Sequence, residues 1–167
     1  MLSEKQIVTE ELQDMAKRIA DNLDSTGTTA SGRTAKSLRV EGTDFGALML
    51  ARRNFKGVEI GNAPGKYPKG FNQIIKQWIL DKGISITQLP YKRKASANFS
   101  QKYSAEERGL NAMAGAISHS IIKSGTDLFK KGGRDDIYSN ELKVTTGIIK
   151  KRLASEIISQ IKSNIKG

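Results

Sequence analysis

Leu38-Arg39-Val40-Glu41-Gly42-Thr43-Asp44-Phe45-Gly46-Ala47-Leu48-Met49-Leu50-Ala51 is the stretch that decides the fold class. Leu38 and Val40 alternate with Ser37, Arg39 and Glu41, the two-residue period of a strand with one buried face. Gly42-Thr43-Asp44 is turn chemistry, and Phe45 to Ala51 is a second extended run, so the segment reads as an antiparallel hairpin with Asp44 and Gly46 supporting the reversal. A further extended piece is expected at Gly57-Val58-Glu59-Ile60-Gly61, and another at Ile84-Ser85-Ile86-Thr87.

Helical periods lie on both sides of the hairpin. Ser3-Glu4-Lys5-Gln6 fits a capping box, in which the serine oxygen takes a free helix N–H and Gln6 reaches back. Ile7, Leu12, Met15, Ile19 and Leu23 then recur at helical spacing, which predicts an amphipathic helix from about residue 4 to residue 23. The hydroxyls and glycines of residues 24–33 compete with helical hydrogen bonds and predict a flexible loop. Ile74, Ile75, Trp78 and Ile79 give a short helix over about 71–82, stopped by Gly83. Ser104-Ala105-Glu106-Glu107 is a second capping box, opening a helix whose stripe is Leu110, Met113, Ala114, Ile117 and Ile121. Residues 127–140 read as a connection, and Ile148, Ile149, Leu153, Ile157, Ile161 and Ile165 as a terminal amphipathic helix. The predicted architecture is therefore α+β: a single domain over residues 1–167, with a small antiparallel sheet packed by an N-terminal helix and C-terminal helices. Long loops project from it, among them a basic one at residues 88–103.

A chain of 167 residues buries about 70% of its unfolded surface and needs no covalent staple. It contains no cysteine, which removes disulfide scaffolds, thiol enzymes and cysteine-bound metal centres from consideration. The longest uninterrupted apolar run, Ala47 to Ala51, is far too short for a membrane span. Met1-Leu2-Ser3-Glu4-Lys5 lacks the basic and apolar regions of an export signal.

Charge is unevenly spread. The chain has 28 basic and 17 acidic residues, a formal net charge of +11, and residues 52–102 hold 11 basic residues against 2 acidic ones. Such a block attracts nucleic acid, an acidic protein or an anionic surface. Arg52, Arg53, Lys56, Lys66, Lys69, Lys92, Arg93 and Lys94, interleaved with Phe55, Tyr67, Phe71 and Tyr91, are the candidate contacts to DNA or to an acidic neighbour. No zinc-finger spacing, aromatic ribonucleoprotein motif or helix-turn-helix glycine pattern accompanies them.

Signs of catalysis are sparse. The single histidine, His119, lies between Ser118 and Ser120 near the polar side of its helix, with no nucleophile elbow, and reads as a solvated residue. Asp135-Asp136 reads as a polar turn; a nuclease site of Asp135, Asp136 and Glu59 around a divalent ion is the weaker alternative. Gly61-Asn62-Ala63-Pro64-Gly65-Lys66-Tyr67 fails as a phosphate loop, since Ile60 replaces the first glycine, Tyr67 the hydroxyl, and Pro68 the helix. Its glycines instead allow close approach to a partner. The chain is read as a non-enzyme, with no catalytic residue, cofactor or metal assigned.

Gly32-Arg33-Thr34-Ala35-Lys36-Ser37-Leu38-Arg39-Val40, followed by Glu59-Ile60-Gly61-Asn62-Ala63-Pro64-Gly65-Lys66-Tyr67-Pro68, resembles the tail-completion and neck proteins of tailed bacteriophages. Ile74-Ile75-Lys76-Gln77-Trp78-Ile79, Lys82-Gly83-Ile84, Gly125-Thr126 and Asp135-Asp136-Ile137-Tyr138 extend the likeness toward a branch that includes ring proteins of crAss-like phages. The resemblance implies a virion protein of the head–tail junction, assembled in the host cytoplasm as a homo-oligomeric ring of about six or twelve copies. The ring would join portal or connector to tail and line the DNA passage, with no membrane contact. Arg33, Glu59, Gly61, Pro64, Gly65, Tyr67 and Pro68 become candidate subunit-interface residues, and the basic set faces either the lumen DNA or an acidic adjoining ring. A stand-alone basic nucleic-acid-binding protein is the alternative from the residues themselves.

Overall fold

A computed structural model describes residues 3–44, 46–92 and 100–166. The fold is mixed α+β, with helices α1 (Glu4–Ser25), α2 (Gly57–Ile60), α3 (Phe71–Asp81), α4 (Ala105–Ser124), α5 (Asp127–Lys130) and α6 (Ser139–Lys166). Strands β1 (Arg39–Thr43) and β2 (Gly46–Leu50) form a two-stranded antiparallel sheet. The chain divides into two compact units, one of residues 1–60 and 133–167, the other of residues 61–132.

In the first unit, the predicted capping box opens α1: Ser3 Oγ accepts from the Gln6 N–H at 3.2 Å, and Gln6 Oε1 from the Ser3 N–H at 2.8 Å. The helix buries Ile7, Met15, Ile19 and Leu23, with Ile137 completing the cluster around the last three. Each such aliphatic side chain contributes roughly 1.5–3 kcal/mol on burial. The hydroxyls that follow the helix serve it as a cap: Thr26 Oγ1 donates to the Asn22 carbonyl at 2.6 Å and Thr28 Oγ1 to the Leu23 carbonyl at 2.8 Å. The hairpin pairs Val40 with Met49 and Glu41 with Leu48. Met49 faces the cluster, as does Leu38 just before β1, whereas Leu48 on the opposite face of β2 stays exposed.

Two expected strands are absent from the described residues. Gly57–Ile60 is a helical turn, wound by the Phe55 to Arg52, Gly57 to Asn54 and Ile60 to Lys56 backbone bonds. A strand there would bury Val58 and Ile60 and expose Glu59; the turn instead buries Glu59 and leaves Ile60 half in solvent. Residues 84–87 form no ladder; Ile84 and Ile86 cover the apolar cluster of the second unit from an irregular segment. Residues 127–140, read as a plain connection, contain α5 and the start of α6.

The second unit is centred on α3 and α4, where Ile75, Ile79 and Ala114 are buried together. Ser104 Oγ accepts from the Glu107 N–H at 3.0 Å, and Glu107 returns the bond to the Ser104 N–H at 2.7 Å, so the second capping box also forms. Gly109 is buried in α4 against the Thr87 carbonyl oxygen, which leaves no room for a Cβ there. Among the described residues no helix is long and apolar enough to cross a membrane.

Candidate functional site

Glu59 organises the first unit. Its side chain is fully buried, and Oε1 accepts the N–H groups of Ile137, Tyr138 and Ser139 at 3.0, 2.6 and 2.9 Å. The Ser139 hydroxyl donates to the other carboxylate oxygen. These donors belong to the turn that starts α6, so a carboxylate roughly eighty residues earlier in the chain caps that helix. The terminal helix therefore begins at Ser139, well before the apolar stripe that reveals it in the sequence. The Arg134 N–H donates to the Glu59 carbonyl at 2.9 Å, closing the same corner through the backbone. Burial and the nearby Glu59 charge both push the Tyr138 phenol above its ordinary value.

This geometry sorts the interface candidates. Glu59 is committed inside its own unit. Gly61 is also buried; it has φ 68° and leaves no room for a Cβ, since the Phe129 nitrogen would lie 2.4 Å away. The neighbouring Asn62 carbonyl accepts from the Thr126 N–H at 3.0 Å. Tyr67 is half-buried: its hydroxyl donates to the Ala63 carbonyl at 2.9 Å and its ring stacks on Phe71, centroids 4.3 Å apart. Pro64, Gly65 and Pro68 are exposed in the same loop, and the Gly65 N–H reaches the Ile122 carbonyl at 3.0 Å. Arg33 is exposed in the first unit, with Nε donating to Ser31 Oγ at 2.8 Å.

The basic candidates fall in both units. Arg52, Arg53 and Lys56 are exposed between β2 and the end of the α2 turn in the first unit; Lys66, Lys69 and Lys92 are exposed in the second. Arg93 and Lys94 lie outside the described residues. The second unit has 12 basic and 4 acidic residues, a net +8 out of the +11 of the whole chain.

Groups considered for catalysis stand apart. His119 is exposed on α4. Asp136 is engaged by Arg134, whose Nη2 lies 2.6 Å from Oδ2, and the guanidinium hydrogen bond holds its carboxyl below the usual range. Among the described residues no three His, Asp or Glu side chains gather as a metal ion requires.

Features that sequence reasoning missed are apolar or ionic. Ile74 and Trp78, which with Ile75 and Ile79 predict the short helix, point outward from α3 while Ile75 and Ile79 point in. The signal was the width of the stripe: positions 74, 75, 78 and 79 span more arc than one packing partner covers. On α6, Ile157, Ile158, Ile161 and Ile165 are exposed, the last at 78%. The bonds that join α1 to α6 carry no local signal: Arg152 Nη1 meets Glu11 at 2.7 Å and Arg18 Nε meets Glu141 at 2.6 Å.

Comparison of the chain with protein-family models, with curated proteins and with solved structures gives no match.

Proposed function

We propose that this chain is a structural subunit of the head–tail junction of a tailed bacteriophage, assembling as a homo-oligomeric ring that joins portal or connector to tail and surrounds the DNA passage. The support is the amount of apolar surface left in water. Fifteen large hydrophobic side chains are exposed among the described residues, against eight buried hydrophobic ones. A small monomer gains nothing from such exposure, whereas a subunit covered by neighbours on closing a ring does. The outer face of α6 is the clearest instance, since Ile158, Ile161 and Ile165 recur at the three- and four-residue steps of a helix–helix seam. The motif likeness at residues 32–40 and 59–68 supports the choice of particle and of the position within it.

The test is the mass distribution of the purified protein over a dilution series, with electron-microscope imaging at the highest concentration. Annular multimers, or arcs that dissociate on dilution, are expected, and Ile158→Lys with Ile161→Lys should leave a folded monomer. A wild-type monomer whose DNA affinity falls with salt at a log–log slope of about −0.7 to −0.9 per phosphate would replace the ring with a stand-alone nucleic-acid-binding function.

A further inference from the structure

We infer that the outer face of α3 is a docking ridge for an acidic amphipathic segment of another protein. Ile74 and Trp78 lie one helical turn apart and are 55% and 39% exposed, although the same helix buries Ile75 and Ile79 completely or nearly so. Phe71, a further turn back, is half-buried, and Tyr67 stacked on it carries the apolar strip onto the loop before the helix. The Tyr67 hydroxyl bond to the Ala63 carbonyl fixes that ring in place, so the strip is preorganised. Lys66 and Lys69 are exposed at one end of the strip, and Lys82 follows Trp78 by one turn at the other. The acid on the flank, Asp81, accepts from Gln77 Nε2 at 2.8 Å.

Charge and chemistry together select the occupant. The unit carries a net +8, so its partner is acidic. The middle of the strip is Ile74, an aliphatic side chain that neither stacks on a base nor bonds a phosphate; it gains only from burial against other apolar groups. That favours protein over nucleic acid. A second copy of this chain is a poor occupant. The acidic outer side of α1 carries none of the exposed large apolar residues, and the apolar outer side of α6 is bordered by Lys150, Lys151 and Lys162. The fitting partner is a helix of about three turns with aliphatic side chains on one face and carboxylates beside them. Trp78, one turn beyond Ile74, is the residue type that most often anchors such contacts.

Trp78 is the sole tryptophan, so its emission reports on this ridge alone. The experiment titrates the full chain with an acidic helical peptide of about 15 residues, Leu on one face and Glu elsewhere, and follows emission wavelength and acrylamide quenching. Two further probes are the same peptide with Gln for Leu and an oligothymidine single strand. The expected result is a blue shift and protection from acrylamide with the Leu peptide alone. Its affinity should fall roughly tenfold in Ile74→Ser and by a similar factor in Lys66→Glu/Lys69→Glu, both checked for native helix content. Equal response to the Gln peptide, or no response to either peptide, overturns the proposal. A shift produced only by the oligonucleotide assigns the ridge to nucleic acid, and a shift on concentrating the protein alone assigns it to a second copy. Ring assembly is read by imaging and this ridge by tryptophan emission, so the two proposals stand or fall separately.

Discussion

The two units of the chain are held by different means. The first is tied by side-chain chemistry across long sequence distances: the buried Glu59 carboxylate on the start of α6, and Arg18 and Arg152 of α1 and α6 on opposing acids. The second is tied by backbone shape, with Gly109 admitting the Thr87 carbonyl and Gly61 admitting the start of α5. Charge-based ties respond to salt, pH and neutral isosteres, whereas steric ties respond to a single added methyl group. Each unit is therefore vulnerable to a different kind of substitution.

The largest effect is expected from Gly109→Ala. Its Cβ would overlap the Thr87 carbonyl, and the backbone must move, at a cost of roughly 3 kcal/mol or more in the urea-unfolding free energy. Gly115→Ala on the same helix meets no atom within 4 Å and should instead stabilise by up to about 1 kcal/mol. Equal effects of the two would show that packing at Gly109 is not what holds the second unit.

Next in size is Glu59→Ala, which strips the partner from three N–H groups at the head of α6 and should cost about 2–3 kcal/mol. Hydrogen exchange at Ile137, Tyr138 and Ser139 should accelerate, while amides of α4 keep their protection. Glu59→Gln keeps one acceptor and should lose about half as much.

Smaller still is Arg152→Met, which keeps the apolar stem and removes the bonds to Glu10 and Glu11. A small loss of stability at low salt, shrinking further in 1 M NaCl, is expected in the urea midpoint, because these charges are partly exposed. A loss that does not change with salt would count against the electrostatic account of the first unit.

The smallest effect is alkaline. Tyr138 is held above the ordinary phenol value of about 10, so the folded state keeps a proton that the unfolded chain gives up. The associated stability is fully present below about pH 10 and is lost as pH rises through the higher folded value. Tyr138→Phe should flatten that part of a stability–pH profile, measured by urea midpoints between about pH 8 and pH 11.

Legibility in the sequence follows the same division. Both capping boxes, the hairpin, and the extents of α1, α3 and α4 are local, and they are readable because the residues that decide them lie within a few positions of one another. The early start of α6 is not readable, since its cap comes from Glu59. The α2 turn is misread for a related reason: alternation at Val58 and Ile60 implies a strand, but nothing local says that Glu59 is the residue drawn inward. At the candidate site, loop 61–68 reads as a contact element for a partner, and the structure engages Gly61 and Tyr67 of that loop within their own unit, through contacts that carry no local signal. The ridge on α3 was hidden because a stripe does not announce which of its members will lack a partner.

The bond from the Arg134 N–H to the Glu59 carbonyl has a topological consequence. The chain leaves the first unit after residue 60 and re-enters it at residue 133, and these two ends are already pinned together. The whole second unit is thus an insertion into a closed turn, the arrangement most tolerant of excision, replacement or transplantation. A short polar linker in place of residues 61–132 spans a gap of only one hydrogen bond, so the first unit can exchange its insert without rebuilding its own frame.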